Sequence, residues 1–237
     1  MIVPVLKKGS ELKFSDLSNG FLVLIDKPVD WTSFDVCKKI RNTIGMKKVG
    51  HAGTLDPFAT GLLLIGAGKG TKMMTEFSQA SKKYEALIQF GKESDSYDIT
   101  GKIVNEQEDF NLDYSQIEEV VESMSGEIEQ TPPMFSAKKV KGKALYKYAR
   151  QGIEIERKAV KVRIIESKIN FWEKPFLKMN LHVSKGTYIR SYAHDLGKAL
   201  HVPALLKELQ RTQVDNFLLE DSFTIEEFCT FWEKVAA

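Results

Sequence analysis

His51-Ala-Gly53-Thr-Leu55-Asp56-Pro57-Phe-Ala-Thr-Gly61-Leu-Leu-Leu-Ile65 sets one acid between a glycine and a proline and follows it with an apolar run. Glycine reaches backbone conformations that other residues avoid, and proline fixes its own φ. Gly53 and Pro57 therefore describe a loop held in one shape around Asp56. The run from Leu62 to Ile65 reads as a buried strand that ties this loop to the core. Taken alone, the stretch is an ordinary Asp-Pro turn, which is a common feature. Its meaning depends on what surrounds it.

Upstream, residues 20–25 read as a buried strand closed by the turn Asp26-Lys27-Pro28. Thr32 or Ser33 then caps a helix whose apolar side carries Phe34, Cys37, Ile40 and Ile44, and Gly45 ends it. Lys47, Lys48 and His51 lead cations into the loop. Downstream, Gly66-Ala-Gly68-Lys-Gly70-Thr71 invites a phosphate-loop reading, but neither glycine spacing that such loops require is met. A glycine-rich turn into a helix over 72–79 suffices.

The rest of the chain interleaves strands and helices without a regular βαβ rhythm. Residues 81–91 alternate as a strand with Tyr84 near its start. Residues 93–101 are polar and read as a surface loop. Asp113 opens an amphipathic helix that turns Ile117, Val120, Val121 and Met124 inward. Residues 153–155, 160–172 and 175–183 read as successive antiparallel strands. A helix spans 189–200, Pro203 opens a short helix to 209, residues 211–217 form a last strand, and Thr224 caps a terminal helix over 225–235. The pattern predicts a single mixed α/β or α+β domain over 1–237, with a largely antiparallel central sheet flanked by helices.

Composition narrows the function classes less than the motifs do. Forty-three per cent hydrophobic and 28% charged residues are ordinary for a globular protein. A net charge of +2 is too mild to demand a polyanion, so any nucleic-acid surface must come from local clustering. Such a cluster exists: Lys138, Lys139, Lys141, Lys143, Lys147 and Arg150 lie close together with Tyr146 and Tyr148 among them and no compensating acid. Charge runs are usually solvated faces, yet cations with interleaved aromatics also suit phosphate tracking and base stacking. Cys37 and Cys229 fit no metal spacing, and Cys37 is expected to be a buried free thiol. His194 and His201 have no third ligand nearby in sequence, so no metal is expected. With no secretory segment and no long apolar span, the chain is expected to be cytoplasmic.

Several stretches together resemble the bacterial tRNA pseudouridine-55 synthases. They are Gly20-x-Leu22-x-x-x-Asp26-Lys27-Pro28, Gly50-His51-x-Gly53-x-Leu55-Asp56-Pro57-x-Ala59-Thr60-Gly61 and Lys83-Tyr84. Further along come Asp95-x-x-Asp98-x-x-Gly101, Pro132-Pro133-x-Phe135-Ser136-Ala137-x-Lys139, Tyr146-x-x-Ala149-Arg150-x-Gly152 and Ser184-Lys185-Gly186-Thr187-Tyr188-Ile189-Arg190-Ser191. The matches are collinear from about Gly20 to Arg211. The resemblance implies isomerisation of a uridine in the T-loop of transfer RNA, without cofactor or metal. It implies Asp56 as the catalytic carboxylate, Arg190 as its charge partner, and Tyr84 as the residue stacked on the target base.

By the same resemblance His51 contacts the RNA, Tyr188 and Leu209 line the uracil pocket, and Lys139, Lys141 and Lys143 meet phosphates. Lys27-Pro28 is read as mainly structural. The partner is the tRNA T-arm, with no membrane, and the protein is expected to be a monomer. Many members carry a small RNA-binding domain after the catalytic one, and none is expected in this chain. An RNA-binding folding factor, acting beside or in place of catalysis, is the competing reading.

Overall fold

The computed structural model describes residues 3–11, 13–140 and 142–236. The chain divides into two compact units, Met1–Tyr84 with Leu209–Ala237, and Glu85–Glu208. Both are built from helices and mostly antiparallel sheet, the mixed α/β class expected.

In the first unit, strands Gly20–Lys27 and Thr60–Gly68 pair antiparallel from Gly20↔Gly68 to Lys27↔Gly61. Val5–Leu6 joins the first of these in parallel, and Val49–Ala52 pairs antiparallel with the second. Gln210 and Arg211, from the strand Ala204–Val214, run parallel to Thr60 and Gly61. Residues Phe21 to Ile25 and Leu62 to Ile65 are wholly buried. Strands covered on both faces read as unbroken apolar runs, which is why these two show no alternation.

One face, with Phe21, Val23, Leu63 and Ile65, packs on Val36 and Ile40 of helix Ser33–Ile44 and on Phe228 and Trp232 of helix Ile225–Ala236. The other, with Leu22, Leu24, Leu62 and Leu64, packs on Met74, Phe77 and Val214. Glycine at 70 has a packing reason: a Cβ there would lie 2.1 Å from the Phe21 carbonyl oxygen. The glycine-rich run thus lets the 3-10 turn Lys69–Met73 close onto the sheet.

In the second unit the strand order is Lys82–Phe90, Phe176–Val183, Val160–Glu173 and Gly126–Gln130, the first strand starting at the end of the first unit. Burial alternates along Lys82–Phe90, with Tyr84, Ala86, Ile88 and Phe90 on the inner face. Helix Tyr114–Ser123 buries Ile117 and Val121, and helix Ile189–Ala199 buries Ile189, Tyr192, Ala193 and Leu196.

Four local expectations are corrected. Residues 204–209 belong to the strand Ala204–Val214, not a helix. Ala204, Leu205 and Leu206 are all buried, and a short apolar run buried on both faces carries no period to separate strand from helix. Residues 93–101 are no surface loop: Ser94, Ser96 and Asp98 are buried, and Lys92–Ser94 pairs with Ile103–Glu106. Residues 153–155 form no strand. Phe34 does not face the core but is 62% exposed.

Candidate active site

The backbone around Asp56 is fixed by three polar side chains that the first unit buries completely or nearly so. Lys27, fully buried, donates from Nζ to the carbonyls of Pro28 at 2.8 Å, Trp31 at 2.7 Å and Pro57 at 3.2 Å. Three acceptors match the three donors of an ammonium group, so the site is built for the protonated amine. Burial pulls Lys27 down to about 8, while the negative charges of Asp56, then Asp30 and Asp26, work to raise it.

Ser33 holds the residue before the acid. Its Oγ accepts from the Leu55 N–H at 2.9 Å and donates to the Leu55 carbonyl at 3.2 Å. Ser33 is placed there because Thr32 starts the helix, accepting from the Asp35 N–H at 3.0 Å in a capping box.

Arg211 holds the other flank. It is 1% exposed and donates from Nε to the Leu62 carbonyl at 2.7 Å and from Nη2 to the Gly53 carbonyl at 3.2 Å. Gly53 has φ +80, and a Cβ there would come 3.5 Å from Arg211 Nη1. The Asp30 N–H adds a bond to the Pro57 carbonyl at 2.8 Å, and Ala59 N–H one to the Asp56 carbonyl at 3.1 Å. The result is a half-buried carboxylate on a backbone tied at Gly53, Leu55, Asp56 and Pro57.

His51 sits one strand away from this loop, opposite Ile65. Burial, and after it the Arg211 charge, holds its imidazole below the usual histidine range, which favours the neutral ring. Leu209 and Tyr84 are both buried in the same unit.

In the second unit Arg190 opens the helix Ile189–Ala199 and is 3% exposed. Its Nη1 lies 3.3 Å from Asp98 Oδ2 and donates to the Ser96 carbonyl at 3.1 Å, while Nη2 donates to the Phe135 carbonyl at 2.8 Å. Asp98 Oδ1 accepts in turn from the Ser96 hydroxyl at 2.8 Å and from Thr100 N–H at 2.9 Å. A buried ion pair whose remaining polar atoms are satisfied holds the guanidinium in one orientation.

Tyr188 precedes this helix, and Gln130 grips its backbone. Gln130 Oε1 accepts from Tyr188 N–H at 2.8 Å and Nε2 donates to the Tyr188 carbonyl at 3.0 Å. In the basic run, Lys139–Val140 pairs with Lys143–Ala144 as a small hairpin. Lys139 is exposed. Lys143 reaches Gln151 Oε1 at 2.8 Å and lies 4.3 Å over the Tyr148 ring. Lys141 falls outside the described residues.

The structure thus gathers Asp56, His51, Tyr84 and Leu209 into the first unit, and Arg190, Tyr188, Lys139 and Lys143 into the second. Sequence reasoning missed Ser33 and Arg211 as supports of the loop. Arg211 left only a faint trace, as a cation close to the apolar residues Ala204, Leu205, Leu206 and Leu209, with Lys207 and Glu208 charged among them. Among the described residues no group of three or more His, Cys, Asp or Glu is placed to hold a metal.

An acid on a fixed loop, next to a fully buried lysine and arginine, is a frame for orienting one carboxylate at a substrate. Residues 41–189 match the TruB family pseudouridylate synthase (N terminal domain). The chain belongs to this family of pseudouridylate synthases. Among its relatives is a tRNA pseudouridine synthase B from Endomicrobium trichonymphae, 42% identical over 87% of this chain and 90% of the relative. Another, from Chlamydia abortus, is 44% identical over 87% of each chain. A chain in a solved Cbf5-Nop10-Gar1 complex superposes with a TM-score of 0.73 at 26% identity, covering 92% of this chain and 57% of the other.

Proposed function

We propose that the protein isomerises uridine 55 in the T-loop of transfer RNA to pseudouridine, with Asp56 as the essential carboxylate. The observation that carries this reading is the Asp56 loop, pinned by Lys27, Ser33 and Arg211, in a chain of this family. The reaction breaks the bond between uracil N1 and ribose C1′, turns the uracil, and joins C5 to C1′. The C5 proton leaves and N1 gains one, so atoms balance without a redox partner or cofactor.

Asp56 has three possible first contacts: attack on C1′, addition to the uracil ring, or proton removal to give a glycal. All three need the carboxylate ionised and aimed, and a prearranged backbone supplies the aim without reorganisation at the moment of reaction. The family resemblance assigns Arg190 as the charge partner of Asp56. It assigns Tyr84 to the flipped base, where its hydroxyl accepts or relays the C5 proton. Flipping costs roughly a few kcal/mol of stacking. His51 fills the space left in the RNA loop, while Tyr188 and Leu209 line the uracil pocket.

Lys139, Lys141 and Lys143 contact T-arm phosphates. Lys143 must leave Gln151 to do so. In this reading residues 1–237 act as one catalytic domain, as a cytoplasmic monomer.

The test is incubation of the intact protein with a T-arm hairpin tritiated at uridine C5. Release of tritium, and pseudouridine at position 55 alone after digestion to nucleosides, is the expected result. Intact tritium, or modification at another position, overturns the reading.

A further inference from the structure

The helix Ser33–Ile44 leaves an aromatic ring in solvent, on a stretch with five cations and a single acid, Asp35, which feels the Lys38 charge but forms no close ion pair with it. Phe34 is 62% exposed. Phe34, Lys38 and Arg41 recur at i, i+4 and i+7, so they share one stripe about 10 Å long. Lys39 flanks it, and Lys47 and Lys48 follow the helix, all three exposed. The one acid in residues 33–48 is Asp35, whose carboxylate accepts from Thr32 N–H at 3.0 Å and Thr32 Oγ1 at 2.5 Å. Among the described residues, none of these five cations forms an ion pair.

Both ends of this patch lead to the Asp56 loop. Ser33, beside Phe34, holds Leu55 through its hydroxyl. Lys48 precedes the strand Val49–Ala52, which carries His51 and runs into Gly53.

We propose that this face is an RNA-binding surface of the first unit, with Lys38, Lys47 and Lys48 on substrate phosphates and Phe34 packed on an unstacked base. The proposal rests on the function above and adds a contact set distinct from the basic run at residues 138–150. Exposed cations along the stripe of a single ring, continued by two more beyond the helix end, fit a phosphate backbone with an exposed base. A membrane-surface helix needs a broad apolar face, and here that face is buried in the core. A cation run is by default a solvated face. What separates this one is the exposed ring on the same stripe as Lys38 and its continuity with the Asp56 loop.

The experiment measures binding and turnover separately with the intact chain and the T-arm hairpin. Lys38→Ala/Lys47→Ala/Lys48→Ala is compared with the control Lys158→Ala/Lys168→Ala across a salt series. The triple variant should bind at least about tenfold more weakly. The slope of log affinity against log salt should flatten by about two, since each phosphate contact contributes roughly 0.7–0.9. Its kcat should stay within about twofold, with the loss in KM. Phe34→Ala should weaken binding about five- to 100-fold with the slope unchanged.

Affinity and slope matching the control overturn the surface. So does a triple variant that loses binding to phosphatidylserine vesicles, or to an acidic peptide, while binding RNA normally. A wild type that binds the hairpin through this face but releases no tritium leaves the surface standing and sinks the proposed function.

Discussion

Arg211 donates to the carbonyl of Gly53 at 3.2 Å across 158 residues of chain, and this bond closes the loop that carries Asp56. With Nε on Leu62 at 2.7 Å, one guanidinium spans the start of the loop and the strand behind it. Arg211→Lys keeps the charge but loses the fork that reaches both carbonyls. The expected outcome is a kcat lower by about ten- to 100-fold with hairpin affinity little changed, because misplacement at the reacting atom costs rate more than binding. Single-turnover rates beside equilibrium binding check it, and an equal loss in both would remove Arg211 from the positioning role.

Ser33→Ala removes the hydroxyl that serves both the N–H and the C=O of Leu55. Leaving buried backbone groups unpaired costs about 1–3 kcal/mol. Urea denaturation should show an unfolding free energy lower by that amount, with a correspondingly lower midpoint. Ser33→Thr, which restores the hydroxyl, should recover part of it.

Lys27 gives a pH signature. Its folded value, about 8, lies below the ordinary lysine value of 10.5, so folding disfavours the proton. The resulting penalty is fully present below pH 8 and is relieved as pH rises from 8 to 10.5, where the unfolded chain holds the proton and the folded one does not. The stability of the wild type relative to Lys27→Met should therefore rise between pH 7 and pH 9.5. Activity should move the other way above pH 8, because a neutral amine cannot donate to all three carbonyls around Pro57. Wild-type stability that falls relative to Lys27→Met over this range would contradict this.

Asp98→Ala removes the carboxylate that lies 3.3 Å from the buried Arg190 guanidinium. Breaking a buried pair from one side costs about 3–5 kcal/mol. Thermal unfolding should fall accordingly, and activity at a temperature where the variant is folded should fall as well. Unchanged activity in folded Asp98→Ala would mean that the orientation of Arg190 does not matter to the reaction.

Much of this arrangement was legible in the sequence, for reasons tied to particular residues. Thr32, Gly45 and Thr224 mark helix ends because capping is local chemistry, and each stands at its expected cap in the structure. The strand behind Asp56 was readable because Leu62 to Ile65 can hardly lie anywhere but in the core. The strand Ala204–Val214 was not, since Leu205 and Leu206 are buried alike and leave no period. The buried cluster of Ser94, Ser96 and Asp98 reads as a loop in the sequence because a polar run announces solvent until a distant partner, here Arg190, enters its surroundings. Arg211 and Ser33 were missed for the same reason, since their targets lie 158 and 22 residues away.

We propose above that Asp56, held by this frame, is the carboxylate that makes the reaction possible. The most direct measurement of this is tritium release from the C5-labelled T-arm hairpin by the wild type and by Asp56→Asn, with circular dichroism and hairpin affinity measured on both. Release is expected from the wild type and none above background from Asp56→Asn, with fold and affinity retained. Release by folded Asp56→Asn at the wild-type rate would contradict it.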